Sequence, residues 1–198
     1  MDFQHVNVKL FVINPEEVDL EALVPVFHGW IQNQRNGELL LDVADYRHVP
    51  SGPGVVLIGH QGNYSLDNAG GRLGVRYNRK APVEGTNHDR LVQATHAALT
   101  ACRRLKAEPS LAGAVQFNGR EIEVFINDRL LAPNTPETRG ALESEFRTFF
   151  STLFGEGEYT LSYPQDPRGL FSLTVRASRA FNTPELLDKL SSLEPASR

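Results

Sequence analysis

Hydrophobic and polar residues alternate along several short segments of the chain, and this two-residue period predicts β-strands with one buried face. The clearest such segments are residues 6–13, 120–126, 159–163 and 171–175. Residues 39–44 and 55–60 are more continuously apolar, which is typical of strands that are buried on both faces. Residues 64–67 and 72–77 flank a glycine-containing turn and predict two more strands.

Four other segments carry apolar residues at the spacing of a helix face. They begin near residues 20, 87, 136 and 184. Helix-start signals precede three of them: Thr86 lies three residues before Asp89, and Thr-Pro-Glu occurs at 135–137 and 183–185. Gly155 predicts the end of the third helix, because glycine is the residue that most often follows a helix.

The dipeptide Asn118-Gly119 separates two further apolar arms, residues 114–117 and 120–126. Both of its residues readily adopt the positive φ angles that a two-residue type I′ turn needs. We therefore expect a tight β-hairpin at this position.

The predicted elements suggest an internal repeat, in which three strand–strand–helix units follow an opening strand, helix and strand. The units cover residues 55–106, 114–155 and 159–193. Asn-Thr-Pro-Glu at 134–137 recurs at 182–185, and Arg79, Arg129 and Arg179 each follow the second strand of a unit. Duplication explains this recurrence, and so does repeated use of the same helix-capping chemistry.

The order of elements predicts a single α+β domain over residues 1–198. We expect a mostly antiparallel sheet, or a pair of sheets, with helices packed on one side. A hydrophobic content of 40% is enough for a core without a metal or disulfide staple. The single cysteine, Cys102, falls on the apolar side of a predicted helix and is expected to be a core residue.

The N-terminal residues lack the basic and apolar regions of a signal peptide. No segment approaches the roughly 18 apolar residues of a membrane span. We therefore expect a cytoplasmic protein that makes no membrane contact.

Charge is distributed unevenly along the chain, although the formal net charge is only −4. Residues 71–106 hold 8 basic and 2 acidic side chains, whereas residues 1–70 hold 3 basic and 9 acidic ones. The basic block either complements the acidic regions, within one fold or across a homo-oligomer, or attracts a small anionic ligand. Nucleic acid is not expected as a partner, because the net charge is negative and the block contains only one aromatic residue, Tyr77.

Established motifs for cofactors, metals and catalytic nucleophiles do not occur in the sequence. We find no Cys-x-x-Cys, His-Glu-x-x-His, phosphate-loop or Gly-x-Ser-x-Gly pattern, so no cofactor is predicted. A metal site built from His28, His48, His60 and Asp42 lacks any short ligand spacing, so no metal is predicted either.

The most unusual segment is 42–79, where ionisable residues interrupt apolar strands. A general acid–base pair there would consist of His60, at the end of an apolar strand, and a carboxylate that orients it, Asp67 or alternatively Asp42. The candidate ligand-binding residues are Asp42, Asn63, Tyr64, Arg72 and Arg76, of which the two arginines suit an anionic group. The structural alternative is that His60 bonds a backbone carbonyl and that Asp67 serves the following turn.

The sequence alone does not determine what the protein does, and two hypotheses remain. The first is a non-catalytic binding or assembly module, which the missing catalytic motifs and the predicted hairpins favour. The second is a small enzyme that uses acid–base chemistry at His60 on an anionic small molecule. A deep pocket around His60 would favour the enzyme.

Overall fold

The computed structural model describes residues 1–34, 37–111, 113–164, 166 and 168–193. Eight strands form one sheet in this part of the chain: β1 (Val6–Val12), β2 (Leu40–Tyr46), β3 (Gly54–Gly59), β4 (Gly62–Asp67), β5 (Gly74–Arg79), β6 (Phe117–Ile126), β7 (Tyr159–Ser162) and β8 (Phe171–Ala177). The α-helices are α1 (Leu23–Asn33), α2 (Asn87–Ala107), α3 (Pro136–Phe154) and α4 (Thr183–Ser191).

The strands lie in the order β2-β3-β4-β5-β1-β6-β8-β7, and every neighbouring pair is antiparallel. The two central strands, β5 and β1, pair with each other, and β6 pairs with the other side of β1. The exposed edges are β2 and β7. This architecture confirms the predicted α+β class and decides for one sheet over two.

The two halves of the fold share one order of elements. The first half runs β1, α1, β2 to β5 and α2, and the second runs β6, α3, β7, β8 and α4. In each half the last strand pairs with the first, β5 with β1 and β8 with β6. The division therefore falls between α2 and β6, whereas the sequence predicted three units after residue 54.

The predicted hairpin at Asn118-Gly119 is wrong, because both residues lie inside the single strand β6. The Asn118 side chain accepts hydrogen bonds from the backbone N–H groups of Arg120 (2.9 Å) and Glu121 (3.2 Å). Gly119 has a φ of +27°, and a Cβ atom there would collide with the carbonyl oxygen of Phe181. The dipeptide thus allows a close backbone contact, and the predicted unit 114–155 has one strand in place of two.

One face of the sheet is apolar, and the helices pack on it. Cross-strand rows of apolar residues run across this face, because partners in an antiparallel pair point to the same side. One row contains Leu57, Tyr64, Tyr77, Val8, Val124 and Leu173, and the next contains Val55, Leu66, Val75, Leu10, Ile122, Val175 and Leu161. These side chains and the buried faces of the helices form one continuous core.

Helix α2 lies over the centre of this face, against β1 and β5. Its capping box is the predicted one, since Thr86 accepts from the N–H of Asp89 and the Asp89 carboxylate accepts from the N–H of Thr86. Cys102 is fully buried, and burial raises the pKa of its thiol well above the usual range, as expected for a core cysteine. None of the helices in the described ranges combines the length and apolar character needed to cross a membrane.

Candidate functional site

The face of the sheet opposite the helices, here called the helix-free face, is polar. Because successive strand residues point to opposite sides, the positions between the core residues form this face. In β1 these positions are Asn7 and Lys9, which lie between buried valines and a leucine. The other polar members are Asn63, Ser65, Asp67, Arg76, Asn78, Glu121 and Glu123.

The strand register arranges these side chains in two adjacent rows. The first row is an asparagine row, in which Asn7 pairs with Asn78 and Asn78 pairs with Asn63. In the second row, Glu123 pairs with Lys9, Lys9 with Arg76 and Arg76 with Ser65. Since neighbouring strands lie about 4.8 Å apart, each row offers hydrogen-bonding groups at a spacing that a small molecule can bridge.

A cleft of about 390 Å³ opens over these rows, and its two sides differ in chemistry. The side formed by β4 and β5 is polar and contains Asn63, Ser65, Asp67, Arg76 and Asn78. The side formed by β2, β3 and their connection is mainly apolar and contains Ala44, Tyr46, Pro53, Val56 and Ile58. The cleft therefore suits a molecule with one polar and one apolar part.

A buried ion pair supports the polar side of the cleft. The Lys9 Nζ donates to Asp67 Oδ1 at 2.6 Å, and the two side chains are only 2% and 4% exposed. Burial lowers the pKa of the Lys9 ammonium, although the adjacent Asp67 carboxylate opposes this effect. Asp67 also accepts from the backbone N–H of Ala69 at 3.2 Å, so its carboxylate is held from two sides.

Arg76 lies beside this pair but is bound less tightly. Its Nη1 atom is 3.8 Å from Asp67 Oδ2, which is an ion-pair contact but too long for a hydrogen bond. Its guanidinium group stacks on the ring of Phe125 at 4.7 Å from the centroid. Among the described residues its buried Nε atom finds no hydrogen-bond partner.

The asparagine row has unsatisfied hydrogen-bonding groups within the described part of the chain. Both polar side-chain atoms of Asn7 and the Oδ1 atoms of Asn63 and Asn78 are buried without a partner there. Leaving a buried polar group unpaired costs about 1–3 kcal/mol. Together with Arg76 Nε, these atoms form a cluster of buried donors and acceptors on one side of the sheet that have no partner among the described residues.

A second ionic cluster lies next to the cleft and is fully paired. Glu121 accepts from Arg72 at 2.7 Å and from Arg176 at 3.0 Å. Burial acts to raise the pKa of Glu121, but these two hydrogen bonds outweigh it and the pKa is lowered. Nearby Glu123 has a raised pKa, because burial there outweighs the positive charges of Lys9 and its neighbours.

The structure brings together three of the predicted site residues. Asn63, Asp67 and Arg76 line the same cleft. Arg72 belongs to the same face but is stacked on Phe11 and paired with Glu121 outside the cleft lining. Asp42 is exposed on β2, opposite Ile58 in the register, and it also lies outside the lining.

Two further predicted residues lie elsewhere. Tyr64 points into the core, where burial raises the pKa of its phenol and its hydroxyl donates to Glu38 at 2.9 Å. His60 is exposed in the connection between β3 and β4, and its backbone N–H donates to Leu39. Asp67 ends β4, about 17 Å from the start of that strand, so the proposed partners stand at its opposite ends.

Gly62, two residues after His60, has a packing explanation. A Cβ atom on Gly62 would lie 2.7 Å from the ring of Tyr77, so a side chain at this position would displace a buried aromatic group. Gly62 is therefore explained by close packing against Tyr77 in the core.

Sequence reasoning missed Asn7, Lys9, Asn78, Ser65 and Glu123 as members of the polar face. The available signal was the alternation itself, since Asn7 and Lys9 occupy every second position of an otherwise apolar strand. The alternation does not reveal which strands become neighbours. The two rows form only because strand pairing places polar residues of different strands side by side.

A larger cleft, of about 480 Å³, lies between α1 and the end of α2. Its main polar groups contact one another, because Trp30 Nε1 donates to Glu108 at 2.8 Å and Arg104 stacks on the Trp30 ring. We therefore prefer the smaller cleft on the sheet, where polar atoms are unpaired. Groups of three or more potential metal ligands are absent from the described ranges.

Comparison of the sequence with protein-family models and with curated proteins finds no match.

Proposed function

We propose that this protein is a non-catalytic binding module that holds a small polar molecule in the cleft on the helix-free face. The observation that carries the proposal is the set of buried, unpaired polar atoms on Asn63, Asn78 and Arg76, all of which line the cleft. A bound molecule that offers an acceptor to Arg76 Nε, or a donor to the Asn63 and Asn78 oxygens, would recover part of the free energy that these unpaired groups cost.

Binding is favoured over catalysis by the composition of the lining. It contains no histidine or cysteine among the described residues, and its carboxylate, Asp67, is engaged by the Lys9 ammonium at 2.6 Å. A general base needs a free position within hydrogen-bond reach of a substrate proton. The alternative of acid–base chemistry at His60 is not favoured, because that side chain stands exposed away from this cleft.

A thermal-shift screen of metabolite-sized acids, amides, polyols and amines would test the proposal. We expect at least one chemical class to raise the melting temperature in a concentration-dependent way, because a ligand that binds only the folded state stabilises it. Isothermal titration calorimetry would then give the dissociation constant for wild type and for Asn63→Leu, which removes a carboxamide from the cleft.

The matched control is Ser162→Leu, on the edge strand β7. Ser162 is exposed, and its position opposite Thr174 places it on the same face but outside the cleft. Asn63→Leu should abolish binding, and Ser162→Leu should leave the dissociation constant unchanged. Equal binding by the two variants, or no stabilising compound in any class, would contradict the proposal.

Two expectations from the sequence stay predictions. A homo-oligomer would explain the alternation of acidic and basic regions, and light scattering on the purified protein would give its mass in solution. A cytoplasmic location is expected from the sequence, and fractionation of cells expressing the tagged full-length chain would test it.

A further inference from the structure

The four cationic side chains around the centre of the helix-free face differ in how they are paired. Arg72 and Arg176 each bond Glu121, and Lys9 bonds Asp67. Arg76 is the exception, because the hydrogen bonds recorded among the described residues do not use its guanidinium group. It is also the only cationic member of the cleft lining.

The charged side chains at the centre of this face include one more cation than carboxylate. Its centre carries the cations Lys9, Arg72, Arg76 and Arg176 and the carboxylates Asp67, Glu121 and Glu123. One positive charge is therefore in excess when all the carboxylates are ionised. A single negative charge placed at Arg76 would balance these seven central groups, which do not include Asp42 at the β2 edge of the same face.

Asp67 limits how negative the ligand can be. Its Oδ2 atom lies 3.8 Å from Arg76 Nη1, so any group received by Arg76 also lies near this carboxylate. Like charges repel strongly in a partly buried site, which disfavours a dianion such as a phosphate monoester. A carboxylate carries one charge and matches the planar guanidinium geometry.

The side of the cleft formed by β3 and the β2–β3 connection indicates the chemistry of the rest of the ligand. Val56 and Ile58 of β3, with Pro53, present apolar surface to the same space. A ligand made only of polar groups would leave this surface in contact with water, whereas an aliphatic or aromatic part would cover it. The Asn63 and Asn78 carboxamides lie between the two regions on β4 and β5, next to Arg76.

We infer that the ligand is an amphipathic monocarboxylic acid whose carboxylate is received by Arg76, with the carboxamide of Asn63 or Asn78 as a second donor, and whose apolar part covers Val56 and Ile58. This inference rests on the proposed binding function and names the ligand class of that site. Lys9 and Asp67 act as positioning residues in this arrangement. Their ion pair holds the Asp67 carboxylate in place, and Arg76 lies against that carboxylate.

The test uses small probes that differ in one property at a time, titrated calorimetrically into the full-length protein at neutral pH. Benzoate and benzamide have the same shape but differ in charge, and phenyl phosphate adds a second charge. Acetate lacks the apolar part, and hexanoate replaces the ring by a chain. We expect benzoate or hexanoate to bind, and benzamide, phenyl phosphate and acetate to bind at least tenfold more weakly.

Arg76→Gln should weaken benzoate or hexanoate binding by about 10- to 100-fold, the effect of losing hydrogen bonds to a charged group. The control is Arg147→Gln, which removes an exposed arginine of α3 on the covered side of the sheet and should change affinity less than twofold. Far-ultraviolet circular dichroism of each variant would verify that the fold is retained.

Three outcomes would overturn the inference. The first is that none of the carboxylic acids binds. The second is that benzamide binds as well as benzoate. The third is that Arg76→Gln binds the acids like wild type. If benzamide or a polyol binds and Asn63→Leu abolishes that binding, the cleft remains the binding site and only the ligand class is wrong.

Discussion

The two faces of the sheet are built from the same strands but differ in chemistry. The covered face carries apolar side chains, and the helix-free face carries many polar ones. On the covered face, Val8, Tyr77 and Val124 are fully buried and contact one continuous apolar core. On the helix-free face, Asn7 and Lys9 occupy the intervening positions of β1 and are also buried. Within β1, burial is therefore similar on the two sides, and what differs is that both polar atoms of Asn7 lack a partner among the described residues.

This contrast separates stability from function within single strands. Apolar burial stabilises a fold by about 25 cal/mol per Å², so the covered face carries most of the folding free energy. Buried polar groups without partners lower stability, and a protein retains them where they serve another role. Substitutions that remove an unpaired polar group should consequently be neutral or stabilising, whereas substitutions that remove a core side chain or one partner of an ion pair should destabilise the fold.

The largest expected effect is on the covered face, at Phe146 of α3. This side chain is fully buried and stacks with Phe3 and Phe171 at centroid distances of 6.0 and 6.1 Å. Phe146→Ala should lower the free energy of unfolding by about 3–5 kcal/mol, because it leaves a cavity in the core. Urea denaturation would measure the change, and a loss below about 1 kcal/mol would mean that this aromatic stack does not hold the helix to the sheet.

The next effect is on the helix-free face, at the buried ion pair. Lys9→Met leaves the Asp67 carboxylate buried, with the Ala69 N–H at 3.2 Å and the more distant Arg76 at 3.8 Å as remaining partners. We expect a loss of about 3 kcal/mol, since breaking a buried pair leaves an uncompensated charge. The double variant Lys9→Met/Asp67→Leu should recover most of this loss, because neither charge remains.

A double-mutant cycle in urea would give the coupling between Lys9 and Asp67. If the double variant is as unstable as Lys9→Met alone, the ion pair is not what destabilises the single variant. The helix-free face would then resemble the covered face at Phe146, because Lys9 and Asp67 would stabilise the fold through packing and not only through their charges.

The smallest effect is a pH dependence that Glu123 contributes. Its folded-state pKa is raised, chiefly by burial, so over the interval above the usual value of 4.5 the folded state holds a proton that the unfolded state has lost. Stability from this group is therefore present at low pH and falls as pH rises through the interval. Glu123→Gln should be more stable than wild type above it, and the difference should vanish at lower pH.

Glu185 provides a control of opposite sign for that measurement. A hydrogen bond from Arg179 at 2.6 Å lowers the pKa of this exposed carboxyl group. Its contribution is present at neutral pH and is lost as pH falls, so Glu185→Gln should not gain stability on the alkaline side. A Glu123→Gln profile parallel to that of wild type in urea melts from pH 4 to 8 would contradict the assignment of a raised pKa.

Local signals in the sequence predicted much of the fold. The capping residues Thr86 and Thr135 and the C-cap Gly155 mark helix boundaries that the structure confirms. These features are local, because each depends on hydrogen bonds within a few residues. The hairpin prediction at Asn118-Gly119 also used a local signal, and it was wrong. The two residues form an irregularity within β6, between the pairs Val12–Phe117 and Leu10–Ile122, and do not join two strands.

The candidate site was harder to predict from the sequence than the helix boundaries, because it depends on contacts between distant segments. Asn63, Asp67 and Arg76 come from one hairpin, and the sequence placed them together. Asn7 and Lys9 join them only because β1 pairs with β5, nearly 70 residues further along the chain. The pairing of β1 between β5 and β6 is a long-range property that no local pattern specifies.

The central claim is that the helix-free face keeps unpaired polar groups for a ligand at the expense of stability. Two asparagines allow a matched comparison. Asn87 is buried and satisfied, since it accepts from the Phe3 N–H at 3.0 Å and donates to the carbonyl of Met1 at 2.7 Å. Asn78 lines the cleft, and its Oδ1 atom is buried without a partner in the described part of the chain.

The most direct test is the free energy of unfolding of the ligand-free protein with leucine, a residue of similar size, at each position. Asn87→Leu should lose about 2–3 kcal/mol, because it leaves buried backbone partners unpaired. Asn78→Leu should be neutral or gain up to about 1 kcal/mol, because it removes an unsatisfied group and adds apolar surface. If Asn78→Leu is destabilised as much as Asn87→Leu, the polar rows are structural and the account of the helix-free face is contradicted.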